Sequence, residues 1–279
     1  MKRKTFLKTL GKLSLLGAFP LLYSWQVEPF WLEFVRKKMP VKNLPDELDG
    51  KILMQISDLH VGNRFDWRFL IDSFIKAKKY EPDFVVYTGD FVNKGNHLET
   101  EYLKAVMEVA VLGKLGTFGV LGNHDYGANW RNMESANNIC NILKDFGITI
   151  LNNEQQECFG LNFIGFEDLW SPNFNPLQVM KDYDETKANI VLCHNPDVCD
   201  KDVWNGYKGW ILSGHTHGGQ CRIPGVVTPV VPIENRKYIA GKVDLEDGRT
   251  LYVNRALGHS FQVRFMVRPE ITVFKLVKE

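Results

Sequence analysis

The chain has 279 residues, 44% of them hydrophobic and 24% charged, with a net charge of +1. That length suits one large domain or two ordinary ones and the composition suits a packed globular fold. A balance so near neutral excludes nucleic acid as a bulk electrostatic partner.

The N-terminal segment, residues 1–40, differs in character from the remainder of the chain. Lys2, Arg3, Lys4, Lys8 and Lys12 make a basic start, and Leu13 to Trp25 is almost free of polar groups. At about 13 residues this run falls short of the roughly 18–20 needed to cross a bilayer as a helix. It reads as a signal peptide, a membrane-surface anchor or a helix packed on the domain. Arg3-Lys4-Thr5-Phe6-Leu7-Lys8 is similar to a twin-arginine export signal with lysine for the second arginine, and no A-x-A cleavage site comes after it. Trp25, Trp31, Phe30 and Phe34, succeeded by Arg36-Lys37-Lys38, suit a membrane interface. Membrane association is the expectation, with the face left open.

Pro40 and Pro45 bracket a linker over 41–49, and a catalytic domain is expected over 41–279. Periodicity then predicts a strand over 51–57, a helix over 67–79, a strand over 84–88 and a helix over 98–112. Next come a strand ending at Leu121 and a helix over 133–146. Alternation of this kind is the signature of a largely parallel sheet with covered faces. The second half reads as short strands at 148–151, 156–165, 190–193, 209–213, 238–243, 250–255 and 271–277, with a hairpin signal at Asp247-Gly248. Two sheets packed face to face, each covered outside by helices, accommodate the pattern. Five cysteines without a CxxC pair exclude a complete disulfide framework and read mostly as buried thiols.

Polar residues of one chemical type stand where the predicted strands end. Strand 51–57 runs into Asp58-Leu59-His60, strand 84–88 into Gly89-Asp90, and the next into Gly122-Asn123-His124-Asp125. Strand 190–193 leads to His194-Asn195, and strand 209–213 to Gly214-His215-Thr216-His217-Gly218-Gly219. The carboxyl rim of an α/β sheet is where ligands bind. Carboxylate, carboxamide and imidazole together suit a pair of divalent ions, manganese first, with iron, zinc, cobalt or nickel as alternatives. The D-x-H and H-x-H spacings, on an extended backbone, place both side chains on one face. His97 reads as the start of an exposed helix and His259 as a loop residue. Arg222, Arg255 and Arg264 are candidate phosphate contacts, because a guanidinium matches phosphate geometry.

The ordered set DLH, GD, GNHD, an isolated histidine and GHTH, from Asp58 to His217, resembles the calcineurin-like metallophosphoesterase superfamily. The flanking Val27-Glu28-Pro29, LCHNPD, SGHTHGGQ and Tyr252-Val253-Asn254-Arg255 segments resemble its bacterial membrane-associated phosphodiesterase branch. That branch holds twin-arginine-exported phosphoesterases and chlamydial-type hydrolases of UDP-2,3-diacylglucosamine in lipid A synthesis. The resemblance implies a four-layer α/β/β/α sandwich of two mixed sheets. It implies that Asp58, His60 and His217 hold one ion, Asn123, His194 and His215 the other, with Asp90 bridging and His124 as the catalytic histidine. Some relatives carry an aspartate, orienting that histidine, where this chain has Asn93; Asp125 is the alternative orienting group. A better-known proteobacterial lipid A hydrolase has arginine at the position of His124, which sets the present chain apart from it.

The implied activity is hydrolysis of a phosphodiester or pyrophosphate bond in a membrane lipid precursor such as UDP-2,3-diacylglucosamine. The implied partners are a phosphorylated lipid or nucleotide-lipid substrate and a membrane surface. Apolar residues of 25–34 or 169–174 are candidates to receive acyl chains, or are ordinary core. Alternatives are an exported phosphodiesterase or phosphomonoesterase acting on cell-wall or phospholipid-headgroup substrates, and a non-catalytic scaffold.

Overall fold

The computed structural model describes residues 19–223, 225 and 230–279; the basic start and the export-like motif lie outside the described residues. Among the described residues, twelve strands form two six-stranded mixed sheets. In the first, β2 (Ile52–Ile56), β3 (Phe84–Thr88), β4 (Gly116–Val120) and β5 (Thr149–Ile150) run parallel, and β12 (Glu270–Lys278) lies antiparallel to β2. In the second, β7 (Leu161–Gly165), β8 (Ala188–Leu192), β9 (Gly209–Ser213) and β11 (Arg249–Val253) run parallel, with β6 (Glu154–Cys158) and β10 (Gly241–Asp244) antiparallel at the edges.

Strand residues alternate between faces with period two, and the alternation sorts the apolar side chains into three layers. Ile56, Val85 and Tyr87 face α1 (Arg68–Lys78), α2 (His97–Met107) and α3 (Met133–Asp145). Leu53, Phe84 and Val86 face the second sheet, where they meet Phe163, Ile190 and Leu212. Val191 and Ile211 point away from that middle layer toward α4 (Pro176–Met180), Trp204 and Tyr238. Helix, sheet, sheet and helix are therefore stacked as four layers. Gln55 is buried between the sheets, and its amide donates to the Thr88 hydroxyl at 3.1 Å and the Ser213 carbonyl at 3.0 Å. These bonds fix the ends of β2, β3 and β9 relative to one another.

The structure departs from the sequence reading in several places. Glu33–Val41 is a strand, β1, paired in parallel with β12 along its length. The boundary at residues 40 and 41 therefore falls at the end of a strand, and the folded body begins earlier. Arg36, Lys37, Lys38 and Pro40, which suit an interface or a linker, are also what an edge strand tolerates, since one side has no ladder to complete. Phe30, Leu32 and Phe34 pack on the helix-side core rather than lying open, as do Leu169 and Phe174 on the outer core of the second sheet. The single strand expected over 156–165 is a hairpin, turned through Phe159 and Gly160, both at positive φ. The helix expected to reach 112 ends at Met107, and Ala110 and Val111 then turn into the core together. Residues 236–238 form a single helical turn before β10 rather than part of a strand.

Candidate metal centre

The ends of β2, β3, β4, β8 and β9 meet at one rim and bring together the eight residues that the sequence singles out. Asp58, His60, Asp90, Asn123 and His194 are each no more than 1% exposed. Three overlapping triads result, Asp58–His60–His217, His60–Asp90–His124 and Asp90–His194–His215, each with ligand atoms within 4.8 Å of one another. Asp90 is shared by the last two. Its Oδ2 lies 3.4 Å from His60 Nε2 on one side and 3.2 Å from His194 Nε2 on the other.

The backbone reaches this arrangement by an unexpected route. Asp58, His60, Asp90, His215 and His217 all have positive φ, between 48° and 72°. The pairs therefore converge through left-handed turns and not by alternation on an extended strand, which corrects the expectation from spacing. Such a conformation costs of order 1–3 kcal/mol per non-glycine residue and persists only where the surroundings hold it. The surroundings are specific here. The His215 amide donates to Asp58 Oδ1 at 3.0 Å, the His124 amide donates to Asp90 Oδ1 at 2.9 Å, and the His60 amide donates to the Asp90 carbonyl at 2.9 Å. Gly214 and Gly122 let the loops close, since a Cβ at Gly214 would collide with Ser57 Oγ and Asp58 Oδ2, and one at Gly122 with Asp90 Oδ1.

Four of the five rim histidines are aimed by the nitrogen they do not present, whereas His217 Nδ1 is buried with no hydrogen-bond partner among the described residues. His194 Nδ1 bonds the Thr88 carbonyl at 2.7 Å, and His215 Nε2 the Pro232 carbonyl at 3.0 Å. His60 Nδ1 bonds Asn93 Oδ1 at 3.1 Å. Such partners fix tautomer and ring direction and raise ligand basicity. Asn93 thus orients His60 through its side chain, while its backbone carbonyl accepts from His124 Nδ1 at 2.8 Å. Asp125 orients neither histidine, because its oxygens accept from the amides of Phe91, Val92 and Gly122.

Charge in the site is arranged for a cation. Burial drives His60 well below the usual imidazole range and takes His215 down to about 3, so both rings are neutral. Burial acts the same way on His194, but the carboxylates of Asp90 and Asp58 outweigh it and raise that ring instead. Burial alone would raise Asp58; the hydrogen bond and charge from His217 overcome it and hold the carboxyl at about 2. Asp90 is likewise held far below the carboxylate range by His194 and His124, against its burial.

The donor set fits divalent ions. Two atoms each about 2.1 Å from one ion stand about 3.0 Å apart at a right angle and about 3.4 Å apart at a tetrahedral angle. The facing pairs observed are His60 Nε2 to His217 Nε2 at 2.9 Å, His215 Nδ1 to His194 Nε2 at 3.0 Å, and His217 Nε2 to Asp58 Oδ1 at 3.4 Å. Asn123 Oδ1 is buried with no hydrogen-bond partner among the described residues. An orphan acceptor beside converging lone pairs marks a cation position.

The arginines divide. Arg264 is fully buried and donates to the carbonyls of Arg255, Ala256, Gly258 and Val267 and to His259 Nδ1. It staples a loop and makes no phosphate contact. Arg255 is engaged by Glu270 and Glu33, so its guanidinium already has carboxylate partners. Arg222 is exposed beside the His217–Gly219 turn, with Nε on the Gly218 carbonyl at 3.2 Å. His97 begins α2 and is exposed. His259 lies in a loop, but fully buried among Phe30, Phe65 and Phe69.

Sequence reasoning missed Ser260 as a wall of the site, and reached Trp170 only as part of the apolar run 169–174. Ser260 Oγ is 3.4 Å from His217 Nε2, and Trp170 packs edge-on to His215 at 4.8 Å between centroids. Neither carries a local motif, since each reaches the rim from a distant loop.

A four-layer fold with histidines and carboxylates converging on divalent-ion positions at the rim defines a metal-dependent phosphoester hydrolase. Residues 52–219 match the model of the calcineurin-like phosphoesterase family, and the chain belongs to that family. It is 29% identical over 265 residues to the phosphodiesterase YaeI of Escherichia coli, covering 91% of this chain and 92% of the relative. It is 27% identical over 319 residues to the UDP-2,3-diacylglucosamine pyrophosphatase LpxG of Chlamydia trachomatis, covering 95% and 96%. It is also 27% identical over 289 residues to the metallophosphoesterase YkuE of Bacillus subtilis, covering 99% and 98%.

Proposed function

We propose that the protein hydrolyses a phosphodiester or pyrophosphate bond in a lipid-linked substrate of the UDP-2,3-diacylglucosamine kind, at a membrane surface. The observation that carries this reading is an apolar shelf joined to the metal centre. Residues 19–31 lie along the 259–268 loop: the Arg264 amide donates to the Ser24 carbonyl at 2.8 Å and Gln262 to the Trp25 carbonyl at 3.1 Å. Together they expose Leu22, Trp25, Trp31, Phe261, Val263 and Met266. Gln220, three residues after His217, donates to the carbonyls of Phe261 and Val263 and so ties the shelf to the ligand turn. Scattered exposed apolar residues need no explanation, but a clustered patch beside a site does. The Arg268 guanidinium sits 4.3 Å above Trp31 and that of Arg64 5.3 Å above Phe261. Cations interleaved with aromatics suit an anionic lipid surface. No helix of the described residues is long and apolar enough to cross a membrane, so the contact proposed is interfacial.

In this reading Asp58, His60 and His217 hold one ion, Asn123, His194 and His215 the other, and Asp90 bridges them; manganese is the proposed metal. Two such ions when bound activate water and neutralise charge on the phosphoryl oxygens. His124 is the proton donor to the leaving oxygen. With Nδ1 committed to the Asn93 carbonyl, Nε2 is its working nitrogen. General acid catalysis of this kind contributes roughly 10²–10⁴ in rate. Arg222 receives a phosphate oxygen, and the shelf receives acyl chains.

The test is phosphorus-31 NMR of manganese-loaded protein with UDP-2,3-diacylglucosamine in detergent, beside bis-p-nitrophenyl phosphate. The expected products are UMP and the lipid monophosphate, lost in His124→Ala while metal content is kept. Cleavage of the artificial diester alone would sink the lipid-nucleotide assignment and favour an exported cell-envelope substrate.

A further inference from the structure

The two ligand clusters are flanked by walls of different chemistry. Beyond His217 lies Ser260 and the apolar shelf. Beyond His215 and His124 lies a pair of tryptophans from separate loops. Trp130 and Trp170 stack at 4.9 Å with 22° between their planes. Trp170 meets His215 edge-on at 4.8 Å, and Trp130 meets His124 at 6.2 Å and 63°. Trp130 is 39% exposed and held at φ 57°, a strained conformation for a bulky residue. A cavity of about 550 Å³ opens beside the pair, lined by Asn129, Trp130, Arg131, Leu169, Trp170, Ser171 and Pro172. Among the described residues the Arg131 guanidinium has no hydrogen-bond or ion-pair partner in this lining.

From these positions we infer that the Trp130–Trp170 pair is a stacking platform for a planar nucleobase. It receives the nucleoside half of a nucleoside-phosphate substrate on the His124–His215 side of the metal centre. An acyl chain would need a continuous apolar trough, whereas here Leu169, Pro172 and the two aromatic faces are interrupted by a carboxamide, a guanidinium and a hydroxyl. Aromatic faces stack on any base, and amide and guanidinium groups bond the base edge or a second phosphate. The rings lie one side chain away from His124 and His215, so a base can reach them from a phosphate at the rim across one pentose. The inference rests on the phosphoesterase reading of the rim, and names the recognition element for the nucleoside half of its substrate.

The measurement compares UMP with ribose 5-phosphate, which shares its phosphate and sugar but lacks the base. Calorimetric titration into metal-loaded protein should show UMP binding roughly 10- to 100-fold more tightly. Trp130→Ala should collapse that ratio toward one through loss of UMP affinity, leaving ribose 5-phosphate affinity intact, and Trp130→Phe should restore most of it. Arg131→Ala, at an exposed position, should weaken UMP without altering the melting temperature. Equal affinity for the two ligands in the unaltered protein would overturn the platform, as would no UMP binding at millimolar concentration. A ratio that survives Trp130→Ala would overturn it as well. The outcome separates from that of the lipid assignment. Base discrimination without cleavage of the lipid nucleotide would retain the platform and discard the lipid, while cleavage without base discrimination would do the reverse.

Discussion

The backbone carbonyl of Asn93 accepts a hydrogen bond from His124 Nδ1 at 2.8 Å, so this loop residue fixes which nitrogen of that ring faces the rim without using its side chain. The side chain is occupied elsewhere, with Oδ1 on His60 Nδ1 at 3.1 Å and Nδ2 on the His60 carbonyl at 3.0 Å. One residue thereby aligns a proposed metal ligand and a proposed proton donor by two independent bonds. Asn93→Ala should therefore weaken binding of the first ion by about 10–100-fold, while turnover at saturating metal falls much less. Metal titration with inductively coupled plasma analysis, beside kcat measured in excess metal, checks this. A large loss of kcat at full occupancy would show that the side chain aligns His124 after all.

The rim is packed too tightly to admit one more carbon. At Gly214 a Cβ would collide with Ser57 Oγ and Asp58 Oδ2, and the adjacent His215 amide is a donor to that carboxylate. Gly214→Ala should cost about 1–3 kcal/mol of stability, as overpacking does, and should also lower metal content, because the displaced Asp58 carboxylate is a proposed ligand. Thermal unfolding and metal analysis are the readouts. A variant with native melting temperature and full occupancy would contradict this geometry.

Removing the ions should destabilise the whole domain. Asp58 and Asp90 are buried carboxylates surrounded by imidazoles from both sheets, and ions binding only the folded state add about 4 kcal/mol at a concentration 1,000-fold above Kd. Exhaustive chelation should lower the melting temperature by roughly ten degrees, and re-addition of manganese should restore it. An unchanged melting curve would mean that no ion binds there with such affinity.

Two arginines of similar sequence appeal should behave oppositely. Arg264 satisfies four carbonyls and a ring nitrogen from a fully buried position, so Arg264→Ala should cost more than about 3 kcal/mol by stranding those acceptors. Arg222 is exposed at the rim, so Arg222→Ala should leave the melting temperature unchanged and raise KM several-fold. Denaturant unfolding and steady-state kinetics distinguish them, and a stable Arg264→Ala variant would be the informative surprise.

The apolar shelf predicts vesicle binding that depends on its tip residues. Replacing Trp31, Phe261 and Met266 together by serine should lower co-sedimentation with anionic phospholipid vesicles at least ten-fold, since each buried apolar side chain contributes about 1.5–3 kcal/mol. Metal content and melting temperature should stay the same. Unchanged co-sedimentation would move the membrane contact elsewhere on the chain.

The sequence by itself determined the class of fold and the identity of the rim. Buried strands such as Phe84–Thr88 are legible because period two and β-branched content act locally. The Asp, Asn and His residues are legible because each comes within a few positions of its strand, at the end where an α/β sheet collects ligands. Tertiary structure decided what depends on partners far away in the chain. Glu33–Val41 is a strand because β12, more than 200 residues later, supplies its ladder, and its own lysines conceal that. Arg264 is structural and Arg222 open because of which carbonyls surround each, and no spacing encodes this. The left-handed backbone at Asp58, His60 and Asp90 arises from bonds across loops, so these residues converge by a geometry that alternation does not describe. The Ser260 and Trp170 walls likewise come from loops that meet the histidines only after both sheets have packed, because a lone serine or tryptophan carries no pattern until its neighbours exist.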